Sequence, residues 1–186
     1  MSVISERQIS RWPHWSVPVL HWIMALLIIG AFAIGQVMED FPRSERGAIM
    51  GYHALLGLSV LVLFLPRIWA VLHQSPATAG DDPRIVKMMA RIAHGLLYLV
   101  MIAMPVTGLL AVMTSGRSFS VAGLFSLPDL GRIEWLHEGG EEIHEFFVPV
   151  LVTLVVLHVI AALWHHFIRH DEVLARYVPW LRRRDS

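Results

Sequence analysis

The sequence predicts an all-α membrane protein, a four-helix transmembrane bundle running up-down-up-down. Three observations predict it. Of 186 residues, 55% are hydrophobic and only 16% are charged, which is too apolar for a water-soluble fold of this length. The charges are also clustered, so that the runs 17–37, 47–66, 92–116 and 146–168 contain no Asp, Glu, Lys or Arg. Each run has about the 20 residues that a helix needs to cross the hydrocarbon core.

The elements follow in order within a single domain, 1–186. Residues 1–16 form a polar, tryptophan-bearing approach to the first helix, expected at about 14–38. Its apolar run exceeds a signal-peptide core of roughly 7–15 residues, so it is read as a retained helix. A short loop containing Phe41-Pro42-Arg43-Ser44 leads to the second helix, about 47–72. Pro76, Gly80, Asp81, Asp82 and Pro83 turn the chain, and Lys87 and Arg91 mark the start of the third helix, about 89–115. Pro105, with Gly108 close behind, is expected to bend it. The longest connection, 117–145, carries an acidic run of Glu134, Glu138, Glu141, Glu142 and Glu145 ahead of the fourth helix, about 141–169. Short loops make consecutive helices antiparallel neighbours.

Net charge is zero, but its distribution orients the chain. With a cytoplasmic N-terminus, the inner segments hold Arg7, Arg11, Arg67, Arg84, Lys87, Arg91, Arg169, Arg176, Arg182, Arg183 and Arg184. The outer loops hold only Arg43, Arg46, Arg117 and Arg132. The positive-inside rule then puts both termini in the cytoplasm. Trp12, Trp15, Trp69 and Trp180 fall near the inner boundary as interfacial anchors. Basic residues beside the membrane meet anionic lipid headgroups, so no nucleic-acid partner is implied. The chain has no cysteine, which excludes disulfides, thiolate-held iron–sulfur clusters and Cys-x-x-Cys-His attachment of a c-type haem.

The histidines carry the chemistry. Of eleven, His21, His53, His94 and His158 lie inside apolar runs, and His144 lies in the first turn of the fourth helix. Ionisable groups at that depth are costly and mark function by default. His144 and His158 are 14 residues apart, which places them about 40° apart on one face and ~21 Å apart along the axis. One metal cannot take both, whereas two stacked cofactors could each take one. Depth supplies the partners: His21 with His158 on the inner side, His53 with His144 on the outer side. Facing imidazoles suit low-spin haem iron with both axial positions filled. Zinc or di-iron would want more ligands, with carboxylates for di-iron. The metal-ligand expectation is therefore His21, His53, His144 and His158, holding two haems b. Hydrogen bonding between helices is the alternative for any single intramembrane histidine.

Other residues have two readings each. His94, at the height of the inner pair, could replace His21 or serve packing or propionate contact. Gly30, Gly51, Gly57, Ala54, Ala161 and Ala162 could line porphyrin faces or let helices approach closely. Arg67 and Arg91 could bind haem propionates or anchor helix ends. His165 and His166 could exchange protons with quinone or snorkel at the interface. His14 reads as a wetted interfacial residue.

Leu20-His21-Trp22, Phe41-Pro42-Arg43-Ser44, His53 with Gly57, Ala93-His94 with Pro105 and Gly108, His144, His158 and His165-His166-Phe167 together carry a resemblance. Over nearly its whole length the chain resembles the bacterial cytochrome b561 family, related to the cytochrome b subunits of membrane-bound hydrogenases. The resemblance implies one haem ligand from helix one, one from helix two and two from helix four: His21, His53, His144 and His158. It implies a quinone-linked electron carrier of the bacterial inner membrane, and some members oxidise superoxide at the outer face while reducing ubiquinone. An outer surface this acidic would not steer an anion, although Arg43, Arg46, Arg117 and Arg132 could form a local positive patch.

The expected function is electron relay between a donor, such as a periplasmic one, and quinone. Alternatives are superoxide:ubiquinone oxidoreduction, service as the membrane subunit of a dehydrogenase, and a histidine-based proton or metal transporter. The last lacks intramembrane carboxylates. Small-residue faces would permit a homodimer.

Overall fold

The computed structural model describes residues 16–73, 83–171, 173–178 and 181. His14, the tryptophans at 12, 15 and 180, the turn residues 76, 80, 81 and 82 and the arginines at 7, 11 and 182–184 lie outside these.

Four long apolar helices dominate the described chain, each long and apolar enough to cross a membrane. They are α1 (Ser16–Val37), α2 (Arg43–His73), α3 (Arg84–Met113) and α4 (Glu134–Trp164). A 3-10 turn, Met38–Asp40, follows α1, a π-helical turn, His165–Arg169, continues α4, and a short α5 (Val173–Tyr177) lies beyond it. The chain is thus a multi-pass membrane protein.

Proline sets two of the helix starts. The Pro42 carbonyl accepts from the amides of Glu45 (2.8 Å) and Arg46 (3.2 Å), and the Pro83 carbonyl accepts from those of Val86 (3.0 Å) and Lys87 (3.2 Å). Arg46 closes the first of these turns by donating to the carbonyls of Phe41 (2.9 Å) and Glu39 (2.6 Å). That accounts for Phe41-Pro42-Arg43-Ser44 as a helix-start motif. The helices extend past the apolar runs into polar sequence, and α4 begins about two turns before 141, at Glu134. Acidic residues at a helix N-terminus complement its dipole, and the whole acidic run, Glu134 to Glu145, is helical rather than loop.

The connection between α3 and α4 contains a β-hairpin, β1 (Phe119–Val121) with β2 (Phe125–Leu127), paired antiparallel with Val121 opposite Phe125. Ala122 (φ 48°) and Gly123 (φ 74°) make its turn, closed by the Leu124 amide on the Val121 carbonyl (2.9 Å). Two positive φ values in succession give the twist that a tight hairpin needs. The hairpin sits on α2 at Gly51, where an added Cβ would stand 2.7 Å from the Ser120 carbonyl oxygen. It therefore covers the end of the bundle beside His53.

α1 runs along α2, and α3 along α4, with fewer contacts between α2 and α3. Among the described residues, α4 is not closely packed against either α1 or α2. Met24, Val60 and Phe64 form the buried core, joined by Leu27, Ile28, Leu63, Ile68, Tyr98 and Met101. Lipid tails are as apolar as these side chains, so close packing rather than water exclusion holds them. Leu65 and Leu72, 72% and 73% exposed, face outward where acyl chains would cover them.

Candidate functional site

At the hairpin end, α2 and α4 bring His53 and His144 together, one ring edge-on to the other. Their ring centroids are 5.9 Å apart and the ring planes are inclined at 71°. Each ring is held from behind by the helix preceding its own. His53 Nδ1 donates to the Ala31 carbonyl of α1 (2.9 Å), and His144 Nδ1 donates to the Met104 carbonyl of α3 (2.8 Å). A carbonyl can only accept, so both rings carry their proton on Nδ1 and keep a lone pair on Nε2. Space for each ring comes from a glycine one turn past the accepting carbonyl. A Cβ at Gly35 would stand 3.3 Å from the His53 ring, and one at Gly108 would stand 3.1 Å from His144 Nδ1.

At the opposite end, α1 and α4 bring together His21 and His158, with centroids 6.2 Å apart and planes at 48°. His94 of α3 also meets His158, with ring centroids 5.4 Å apart. Its Nδ1 donates to the Ala90 carbonyl of its own helix (2.7 Å). His158 thus meets both histidines that the sequence offered as its partner. Tyr177 of α5 lies 4.9 Å from the His21 ring, and its carbonyl accepts from Trp22 Nε1 (2.8 Å).

Arg67 belongs to this end. It is buried, 8% exposed, and its Nη1 donates to the Val17 carbonyl (3.2 Å). Its Nη2 lies 3.2 Å from His21 Nδ1. Guanidinium has no lone pair to offer, so here Nδ1 is the acceptor. Arg91, by contrast, is exposed and donates to the Lys87 carbonyl of its own helix (3.3 Å). Among the described residues it has no hydrogen bond to either histidine pair.

His165 follows His158 by seven residues on nearly the same helical face, ~10.5 Å further along. It opens the π-helical turn, a distortion frequent at functional positions. His165 Nδ1 donates to the Asp171 carboxylate, and the Asp171 amide donates back to the His165 carbonyl (3.2 Å). His166 is half-buried beside Phe167, 4.9 Å between ring centroids.

Both pairs have the spacing of two imidazoles on one metal, but only His53 and His144 also show free Nε2 lone pairs. His21, whose Nδ1 accepts from Arg67, carries its proton on Nε2 and would have to release it to ligate there. A ligating nitrogen stands about 2.0–2.1 Å from a first-row metal ion and about 1.1 Å from its own ring centre, so opposed ligands have centroids about 6.3 Å apart. The observed 6.2 and 5.9 Å match that span. Each pair also bridges helices that are not closely packed, α1 with α4 and α2 with α4, as a flat cofactor would require. The glycines proposed for porphyrin faces have other neighbours. A Cβ at Gly30 would meet Leu56 at 3.2 Å, one at Gly57 would meet Pro105 at 4.0 Å, and Gly51 seats the hairpin. Ala54 and Ala162 are half-buried and Ala161 is exposed.

Sequence reasoning missed Gly35, Asp171, Tyr177 and the bond between Arg67 and His21. Gly35 had a signal, because it lies in helix one at the depth of His53. The other three are set by chain folding and left none.

The match to known proteins agrees with this geometry. A family model described as prokaryotic cytochrome b561 matches residues 11–180. A protein of Yersinia pestis named "Probable superoxide oxidase CybB" is 29% identical over 163 residues, covering 86% of this chain and 92% of that one. "Cytochrome b561 homolog 1" of Escherichia coli (strain K12) is 27% identical over 164 residues, covering 86% and 93%. "Cytochrome b562" of Cereibacter sphaeroides is 27% identical over 163 residues, covering 84% and 89%. A fold of four membrane-length helices with histidines opposed in its interior, matched along almost its whole length, places the chain in the prokaryotic cytochrome b561 family of haem b electron-transfer proteins.

Proposed function

We propose that this protein holds two haems b, one between His53 and His144 and one between His21 and His158, and passes electrons between a donor at the hairpin end and quinone at the other. The observation that carries the proposal is the pair of imidazole separations, 5.9 and 6.2 Å, at two levels of one helix. Haem iron with two imidazole ligands supplies one-electron transfer with no open position for a substrate.

The protein residues do the rest. Ala31 and Met104 accept the Nδ1 protons of His53 and His144, which fixes both rings with Nε2 as the ligating nitrogen. The hairpin, seated on Gly51, lies at that end of the bundle. At the other end, His165 would exchange protons with the ring oxygens of quinone. Asp171 holds His165 Nδ1, so that Nε2 is left to face the substrate. Arg67 is buried on His21, so a propionate partner at that end would share its guanidinium.

The charge distribution supports placement in the bacterial inner membrane with both termini cytoplasmic, which makes the hairpin end periplasmic. Lipid surrounds the bundle, and its small-residue faces would permit a homodimer.

The test is the visible spectrum of detergent-purified protein, oxidised and dithionite-reduced, with pyridine-haemochrome quantitation. About two haems b per chain, falling to about one in His144→Ala and in His158→Ala, is the expected result. Colourless protein from haem-replete cells would move the histidines to proton or metal transport.

A second reading makes superoxide the electron donor. The name of the Yersinia pestis relative favours it. Against it, Glu134 pairs with Arg132, which removes one cation from the outer patch. Stopped-flow decay of superoxide with purified protein and ubiquinone decides between the two donors.

A further inference from the structure

The two histidine pairs are not equally ready for iron. At the hairpin end both rings donate Nδ1–H to backbone carbonyls of a neighbouring helix, at 2.9 and 2.8 Å, so both present a bare Nε2. Gly35 and Gly108 leave the two rings their room. This level is built before a metal arrives.

The other level is not. Arg67 Nη2 lies 3.2 Å from His21 Nδ1, so that nitrogen accepts, and the neutral ring keeps its proton on Nε2, the atom turned to ligation. A second bond, from Nη1 to the Val17 carbonyl (3.2 Å), fixes the guanidinium, and the side chain is buried. No hydrogen bond fixes the His158 ring among the described residues; it meets His21 at 6.2 Å and His94 at 5.4 Å between centroids. For His21 to offer Nε2 as a neutral ring, a proton must leave that atom and one must be taken up on Nδ1. Nδ1–H would then point at an N–H of an arginine that stays protonated at any accessible pH. Two donors cannot share one contact, so the guanidinium has to leave. Leaving breaks a hydrogen bond to a charged group, which costs more than breaking a neutral one.

We propose that Arg67 latches the second haem level: the site of His53 and His144 is preformed and fills first, and the site of His21 and His158 fills only after Arg67 lets go of His21. This rests on the dihaem reading above and adds an order of assembly to it. None of the described carboxylates forms an ion pair with Arg67. A carboxylate is the acceptor that a guanidinium pairs with best, through two parallel bonds, and haem carries two of them. The incoming cofactor therefore brings the group that opens the latch. Arg67 is a positioning residue in this scheme.

The experiment is titration of haem, and separately of its dimethyl ester, into the haem-free full-length chain in detergent, with bound haem counted from the Soret band. His158→Ala leaves only the hairpin-end site and His144→Ala only the other. Half-saturation of His144→Ala is expected at a haem concentration on the order of tenfold or more above that of His158→Ala. The unaltered chain should fill in two steps that coincide with these. The ester has no free carboxylate: it should enter His158→Ala as haem does and fail to enter His144→Ala. Adding Arg67→Met to His144→Ala removes the latch and should let the ester in. A first step that coincides with His144→Ala, a single step, equal uptake of haem and ester by His144→Ala, or continued exclusion of the ester after Arg67→Met would overturn the proposal. If the Arg67→Met chain fails to fold, the order of filling and the ester comparison decide without it. An unaltered chain that saturates at one haem, with none bound by His144→Ala at any concentration, would instead remove the dihaem reading, and this proposal with it.

Discussion

His53 and His144 meet across 5.9 Å from helices that are not closely packed, each tied by Nδ1 to the helix before its own. The arrangement is built twice. Ala31 and Gly35 on α1 serve His53 as Met104 and Gly108 on α3 serve His144: a carbonyl to hold the ring and, one turn on, a glycine to make room for it. No repeat in the sequence announces this, because the shared pattern amounts to a glycine at matched depth.

Gly108→Ala should therefore empty the hairpin-end site. Its Cβ would press on His144 Nδ1 at 3.1 Å and push the ring off the Met104 carbonyl. Haem content is expected to fall from about two per chain to about one. Gly35→Ala, at 3.3 Å from the His53 ring, should act in the same direction but less completely. Gly95→Ala is the control, since nothing lies within 4 Å of its added Cβ. Pyridine-haemochrome assays of the three variants read the difference.

Gly51→Ala tests the seat of the hairpin. The new methyl would stand 2.7 Å from the Ser120 carbonyl oxygen and 2.8 Å from the Ala122 amide nitrogen, both backbone atoms that cannot rotate away. Overpacking of this kind costs about 1–3 kcal/mol. Loss of the Soret band on heating should move to lower temperature, with haem content at room temperature unchanged.

Asp171→Ala tests the quinone end. Without the carboxylate, His165 loses the partner that fixes its proton on Nδ1. Reduction of quinone is expected to slow on the order of tenfold or more, while both haems stay bound and are still reduced by dithionite. Equal turnover in the variant and the unaltered protein would sink the assignment of Asp171.

Arg91→Gln should be close to silent. The side chain is exposed and bonded within its own helix, so haem content and thermal stability are expected to stay within about 0.5 kcal/mol of the parent. A marked loss of haem would restore Arg91 as a propionate partner.

The bundle was legible because a bilayer imposes its thickness on the sequence: uncharged runs of membrane length can be read directly. The histidine levels were legible because helical rise converts 14 residues into a depth. Arg67 was visible as a charge beside a helix, but its place on His21, 46 positions away in sequence, comes from how α1 and α2 pack. The hairpin left a faint trace, Phe119-Ser120-Val121 and Phe125-Ser126-Leu127 around Ala122-Gly123. Strands of three residues are too short for alternation to separate them from loop. Asp171 reaches His165 only because the chain turns back at His170, which adopts a left-handed φ of 57°.

α4 alone carries one histidine of each pair, and the π-helical turn that continues it carries His165. It works as a ruler: the interval between the two levels is written in a single unbroken stretch of chain, and nothing in the hairpin or the loops can lengthen or shorten it. The surfaces that meet a donor or a quinone can therefore change from one relative to another while the hop between the levels stays the same. An insertion of one residue between His144 and His158 would turn one level by about 100° against the other. Such a chain would still cross the membrane, but it would have lost its wire.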